Sequence, residues 1–192
     1  MLVECGFVRA MASDGAEYTF TPSLGRIAAL GSPHEIVALF AALHGPRAAQ
    51  EAAYVLAGLC DQEDPAPLIG ALEPGGTPEA PDALQLVPGE MPPAEMVLIA
   101  RHLMQHGIVG SAKPGQGGGA YVDRFDAAEY IAAARVHLGL SSADAEALSM
   151  TEFQQMLRMK YPDIDKQSAA RDLPSREEYE AHMKAFEELR RG

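Results

Sequence analysis

His102 and His106 stand four residues apart in Arg101-His102-Leu103-Met104-Gln105-His106. On a helix that spacing puts two imidazoles on one face, where they could share a metal ion. A zinc site needs three or four ligands, however, and the glutamate of the HExxH pattern is missing. No third ligand stands nearby, so the pair reads as a solvated helix face. Cys60-Asp61 with His34 or His44 supplies the residue types of a thiol nucleophile and its base. A cysteine at a helix end more commonly packs as a small hydrophobe. Gly115-Gln116-Gly117-Gly118-Gly119 has the composition of a phosphate cradle but lacks the Gly-Lys-Ser/Thr ending, and no strand precedes it. The carboxylates Glu177, Glu178, Glu180, Glu187 and Glu188 alternate with Arg176, Lys184, Arg190 and Arg191, which fits an ion-paired surface helix. No catalytic group, metal site or cofactor is expected, and the chain does not read as an enzyme.

The elements that would position these residues are mainly helical. The 192 residues contain 47% hydrophobic and 22% charged side chains and no Trp, with aromatics at 6%. A core must therefore come from Ala, Leu, Val, Ile and Met, a mixture that favours helix over sheet. The expected fold is mainly α: an N-terminal β-hairpin on a small helical bundle, a Gly-rich linker, and a C-terminal helical module. Leu2–Ala10 alternates weakly, Ser13-Asp14-Gly15 supplies a turn, and Tyr18-Thr19-Phe20 is β-prone, which together predict the hairpin. Two strands are marginal alone, so the hairpin needs a larger support or a second chain.

Helix signals follow in close order. Thr21-Pro22 can open a short helix that Gly31 stops. Ser32-Pro33-His34-Glu35 has a cap, a proline at the first helical position and a glutamate able to bond back to the cap. Its stripe runs Ile36, Val37, Leu39, Phe40 and Leu43. A third helix carries Ala52, Val55, Leu56, Leu59 and Cys60. Residues 61–92 are broken by prolines and glycines, and are expected to hold one short helix with Leu68, Ile69 and Leu72 in an otherwise extended connection. Helix resumes from Pro93 to about Gln105. The glycines of 111–122 read as a flexible linker between a domain of residues 1–110 and a module of residues 123–192. In the latter, Asp126 and Glu129 form a capping box with Phe125 and Tyr130 as its staple. Ser149 and Glu152 box another helix that carries Phe153, Met156, Leu157 and Tyr161. A last helix from Ser175 shows Tyr179, Met183 and Phe186 on one stripe.

Lys+Arg 15 against Asp+Glu 27 gives a formal net charge of −12. A field of that sign repels phosphate, which argues against a nucleic-acid groove. No apolar run reaches the length of a membrane span, and the N-terminus lacks the order of a signal peptide. Cys5 and Cys60 are too few for a disulfide framework and suit a reducing cytosol. What remains is interaction surface. The nine methionines either fill gaps in an aromatic-poor core or line grooves that accept varied apolar helices.

The order of segments resembles phage proteins. Phe20-Thr21-Pro22-Ser23-Leu24, Ile27 and Leu30-Gly31-Ser32-Pro33-His34-Glu35-Ile36-Val37 are similar to a family of uncharacterised proteins encoded among tail genes. Phe125-Asp126-Ala127-Ala128-Glu129-Tyr130, His137-Leu138-Gly139-Leu140, Glu146-Ala147-Leu148 and Met150-Thr151-Glu152-Phe153 resemble the C-terminal region of siphophage tail assembly chaperones. The resemblance implies a non-enzymatic role in the host cytoplasm, with absence from the mature virion. Its implied partners are the tape measure protein, kept soluble before assembly, and the tail-tube subunits that polymerise around it. It also implies a long-form layout, with two helical parts joined across the glycines. Homo-oligomers are possible, and neither nucleic acid nor membrane is an expected partner. The partner-binding residues expected on this basis are Ile36, Val37, Phe40, Phe125, Tyr130, Phe153, Met156, Leu157, Tyr179, Met183 and Phe186. The alternative is a structural virion component, a head–tail connector or tail completion protein, which would also be small, helical and acidic.

Overall fold

A computed structural model describes residues 6–75, 84–111 and 123–162. Strand β1 (Val8–Met11) pairs antiparallel with β2 (Glu17–Phe20), with Val8 opposite Phe20 and Met11 opposite Glu17. The turn is closed by Asp14, whose carboxylate accepts the Ala16 N–H at 2.8 Å, and by Gly15. The hairpin is the expected one, moved a few residues along the chain. Its support is the end of the third helix. Thr21 N–H donates to Leu59 O and Asp61 N–H to Thr19 O, each at 2.8 Å, so residues 59–61 cover the edge of β2. Phe20 is thereby fully buried.

Five helices, α1 to α5, build the body. Helix α1 (Leu24–Ala29) starts two residues after Pro22, because the Ser23 hydroxyl accepts the Arg26 N–H and caps it there. Helix α2 (Pro33–Ala42) begins at the expected capping box, with Pro33 in its first turn and the Ser32 N–H donating to the Glu35 carboxylate at 2.8 Å. Helix α3 (Ala48–Leu59) buries Ala52, Ala53, Val55, Leu56 and Leu59. The short α4 (Ala66–Ile69) then leads into an element the sequence did not announce. In place of an extended connection there is a second antiparallel hairpin, β3 (Ala71–Pro74) with β4 (Leu84–Val87), and Leu72 lies in its strand rather than on a helix. Gly70 makes the corner at φ 83°, in a space where the Val87 carbonyl would collide with any β-carbon. Helix α5 (Pro93–Met104) buries Met96, Ala100, Leu103 and Met104 against α3, and closes in a wider single π-turn, Gln105–Val109.

The chain after the glycines returns to the N-terminal helices. Helix α6 (Ala127–Ala133) is capped by Asp126 and stapled by Phe125 stacked on Tyr130, with ring centroids 5.2 Å apart. Phe125 N–H donates to Pro33 O at 2.9 Å. Beyond a second π-turn (Ala134–Leu138) and α7 (Ser142–Ala147), Leu24 N–H donates to Leu148 O at 2.7 Å, and Ser23 forms a bridge with Ser149. Helix α8 (Met150–Lys160) starts at the expected Ser149–Glu152 box. Chain contacts accordingly group Met1–Gln155 into one compact unit and Met156–Gly192 into another, a division inside α8 rather than at residues 111–122. The reason is that α1 presents its buried Leu24 and Ile27 to both stretches. Every buried apolar side chain among the described residues belongs to the first unit. Of the second, the described part is the end of α8 with Tyr161 and Pro162.

The core has the predicted chemistry. Among the largest fully buried side chains of the described residues are Phe20, Leu24, Ile27, Leu56, Leu103 and Met104, and the buried aromatics Tyr18, Phe125 and Phe153 join Phe20. Met91, Met96, Met104 and Met150 are buried gap-fillers, whereas Met11 and Met159 are 71% and 84% exposed. Fold is therefore mainly α with a small N-terminal hairpin, as the sequence indicated.

Candidate functional site

Helix α2 leaves part of its apolar surface uncovered. Ten residues long, it buries Ile36 within its span, and Leu43 just past its end. Val37, Leu39 and Phe40 are half-covered, and Ala38 is exposed. The C-terminus of α2 is fixed from below: the Arg101 guanidinium donates two bonds to Leu43 O, at 2.8 and 3.1 Å. A cation on a helix C-terminal carbonyl is favourable by both hydrogen bonding and dipole. Its N-terminus is fixed by the capping box and by the docking of Asp123–Phe125, where His34 Nδ1 lies 2.9 Å from Asp123 O. A helix held at both ends presents its outer face as a rigid surface.

That face forms one wall of an open groove of about 400 Å³ between α2 and α3. Ala38, Leu39 and Ala42 line one side, Tyr54 and Glu51 the other, with Leu30 and Glu35 at the end. Tyr54 is 44% exposed, yet its hydroxyl donates to Leu30 O at 2.8 Å, so the ring stands as a fixed wall. Hydrogen bonds from the Ser32 side chain and backbone hold the Glu35 carboxyl below the ordinary glutamate range, and it is ionised at neutral pH. Glu51 faces Arg47 at 3.8 Å, an ion pair whose arginine is 78% exposed. The groove is thus apolar along its length and acidic at its rim.

The histidine pair is a packing feature. The rings of His102 and His106 lie 4.6 Å apart, and His106 Nδ1 sits 2.8 Å from the Thr151 hydroxyl in the first turn of α8. Burial, helped by the neighbouring His102, lowers the pKa of His106 and keeps it neutral. Gln154 adds a second tie, accepting from Ser111 N–H and donating to Val109 O, both at 2.9 Å. Gly110 closes the π-turn at φ 74°, close against the Gln154 amide. Among the described residues no three His, Cys, Asp or Glu side chains gather as metal ligands. Cys60 is buried and donates to Gln62 Oε1 at 3.3 Å; burial raises the pKa of its thiol, which suppresses the thiolate. His34 and His44 are engaged elsewhere, His44 Nδ1 lying 3.3 Å from Phe40 O.

The expected partner-binding residues separate by burial. Val37 and Phe40 remain partly open on α2, and Tyr130 is half-buried. Ile36, Phe125 and Phe153 are buried in this chain, at 2%, 5% and 5% exposure. Phe153 meets Tyr130 edge-on at 5.9 Å, so the staple of α6 extends into an aromatic cluster that fastens α8. Met156 is exposed and Leu157 half-buried in the second unit. Tyr179, Met183 and Phe186 lie outside the described residues. Sequence reasoning missed Tyr54, Glu51 and the pair Ala38/Ala42. An aromatic standing between buried Ala53 and Val55 was the available signal for Tyr54; its bond to Leu30 depends on the tertiary fold.

Comparison with known proteins gives one family. A model described as a family of unknown function, DUF6246, matches residues 44–181, well over half of the chain. The chain belongs to DUF6246. The matched range takes in α3 with Glu51 and Tyr54, α5 and the aromatic cluster of α6 and α8, while α2 lies before it. No curated protein and no solved structure matches. Among the described residues no helix is long and apolar enough to cross a membrane.

Proposed function

We propose that this DUF6246 chain is a non-enzymatic phage tail assembly chaperone. It binds the tape measure protein in the host cytoplasm, holds its apolar helical surface until tail-tube subunits polymerise, and is absent from the finished particle. The resemblance of the Phe20–Val37 and Phe125–Phe153 stretches to tail-gene proteins supplies the class. The observation that carries the reading is the face of α2, an apolar helix fixed at both ends with Val37, Leu39 and Phe40 half-covered and Ala38 exposed. An amphipathic client helix laid on such a face buries apolar area that neither partner can bury alone. The net charge of −12 keeps a loaded complex dispersed and away from nucleic acid.

The test is co-expression with the tape measure protein of the same phage, reading the soluble fraction, together with mass spectrometry of purified virions. The chaperone reading expects a rise in soluble tape measure protein and no stoichiometric copy in the virion. Stoichiometric retention in the particle would replace it with a structural role, a head–tail connector or tail completion protein.

A further inference from the structure

We propose that the groove between α2 and α3 takes a partner helix that is apolar along one face and carries lysine or arginine on the flanks of that face. This rests on the chaperone reading and deepens it, because it assigns the contact surface and the chemistry of what lies there. Three observations support it.

The first is shape. Ala38 and Ala42 are four residues apart on α2, so their small side chains form a low row along the helix surface, bordered by Leu39. A low row between higher ridges lets another helix approach closely, its own side chains dropping into the row. A volume of about 400 Å³ open along its length suits a few apolar side chains projecting from a helix.

The second is preorganisation. Tyr54 is held by Leu30 O, Glu35 by the Ser32 cap, and α2 at its far end by Arg101. Binding therefore orders little on this side, which lowers the entropic cost that weakens most flexible surfaces. Tyrosine is also one of the residue types enriched at interface hot spots.

The third is charge. Glu35 and Glu51 stand at the rim, and among the described residues no basic side chain lines the groove. Arg47 lies 3.8 Å from Glu51 and its side chain is 78% exposed, so an incoming lysine or arginine displaces only a weak pair. An acidic partner would meet the fixed Glu35 carboxylate and a Glu51 only weakly offset by the solvated Arg47. Selection by sign is therefore built in through repulsion as well as attraction.

The experiment uses the full chain and two designed helical peptides with the same Leu/Ala stripe, one flanked by lysines and one by glutamates. Binding is read by fluorescence anisotropy at low and high salt, and the site by amide chemical shifts. The lysine-flanked peptide is expected to bind at least about tenfold tighter, more weakly as salt rises, and to shift resonances of Ala38, Ala42 and Tyr54. Glu35→Gln with Glu51→Gln should remove most of that preference. Glutamine at position 35 keeps an acceptor for the Ser32 N–H, so α2 stays capped while the charge is gone. Ala38→Tyr, at an exposed helix position, should fill the trough and abolish binding without lowering the melting temperature. Equal binding of both peptides, shifts confined to other surfaces, or self-association of the chain through this face would overturn the proposal. If tape measure solubilisation survives Ala38→Tyr, the groove assignment fails and the chaperone reading stands. If peptide preference is intact but the tape measure protein gains no solubility, the groove stands and the chaperone reading fails.

Discussion

Helices α2 and α5 are built from similar material and have opposite fates. Pro33–Ala42 is the more apolar by composition, yet it buries only Ile36. Pro93–Met104 is more polar, and buries Met96, Ala100, Leu103 and Met104 in a continuous stripe against α3. Hydrophobic content alone therefore does not decide what becomes core. What decides is whether another element is placed to receive the stripe, and α3 turns its most buried face to α5, leaving α2 tethered at its two ends. An apolar helix fastened to the surface in this way is costly for a protein that acts alone and useful for one that binds another chain.

Substitutions can sharpen or break this contrast. The largest effect is expected on the α5 side. Leu103 is fully buried, so Leu103→Ala should cost about 2–5 kcal/mol by thermal or urea unfolding. A loss under about 1 kcal/mol would mean that the α3–α5 interface is not the structural centre. Removing the cap in Ser32→Ala should cost about 1 kcal/mol, and should loosen the N-terminal turn of α2 first in amide exchange. Uniform protection along α2 in that variant would show that the helix is held by its face rather than its ends.

Acidification should act on the tie between the π-turn and α8. His106 is held neutral, with its folded pKa below the ordinary value of 6.5, so the unfolded chain takes up its proton first as pH falls. Its contribution to stability is intact above about pH 6.5 and declines as pH drops from there toward the lowered folded value. His106→Gln should flatten that part of the stability profile, and an unchanged profile would remove His106 from the account. The smallest effect is expected on the open face: Leu39→Ala should alter stability by no more than about 0.5 kcal/mol in the free protein. If it instead matched Leu103→Ala, the α2 face would be core and the groove would lose its basis.

Local chemistry was legible from the residues and long-range pairing was not. The Ser32–Glu35 and Ser149–Glu152 boxes and the Phe125–Tyr130 staple stand where their spacing put them, because each is decided within four or five residues. The β3–β4 hairpin was hidden because its strands are four residues each and sit among prolines that argue against any regular element. Residues 111–122 read as a boundary from composition, but the return of Phe125 to Pro33 and of Leu148 to Leu24 depends on surfaces distant in sequence. The same limit applies to the candidate site. The stripe Ile36, Val37, Leu39, Phe40 was visible as apolar, but only tertiary packing separates Ile36, which is core, from Leu39, which lines a groove with Tyr54.

The most direct measurement is the soluble fraction of the tape measure protein co-expressed with the wild-type chain and with Leu39→Glu, a variant whose own melting temperature is checked first. Soluble tape measure protein is expected with the wild type, and its loss with a variant that melts like the wild type. Tape measure protein that stays insoluble beside the wild-type chain, or stays equally soluble beside both, would contradict it.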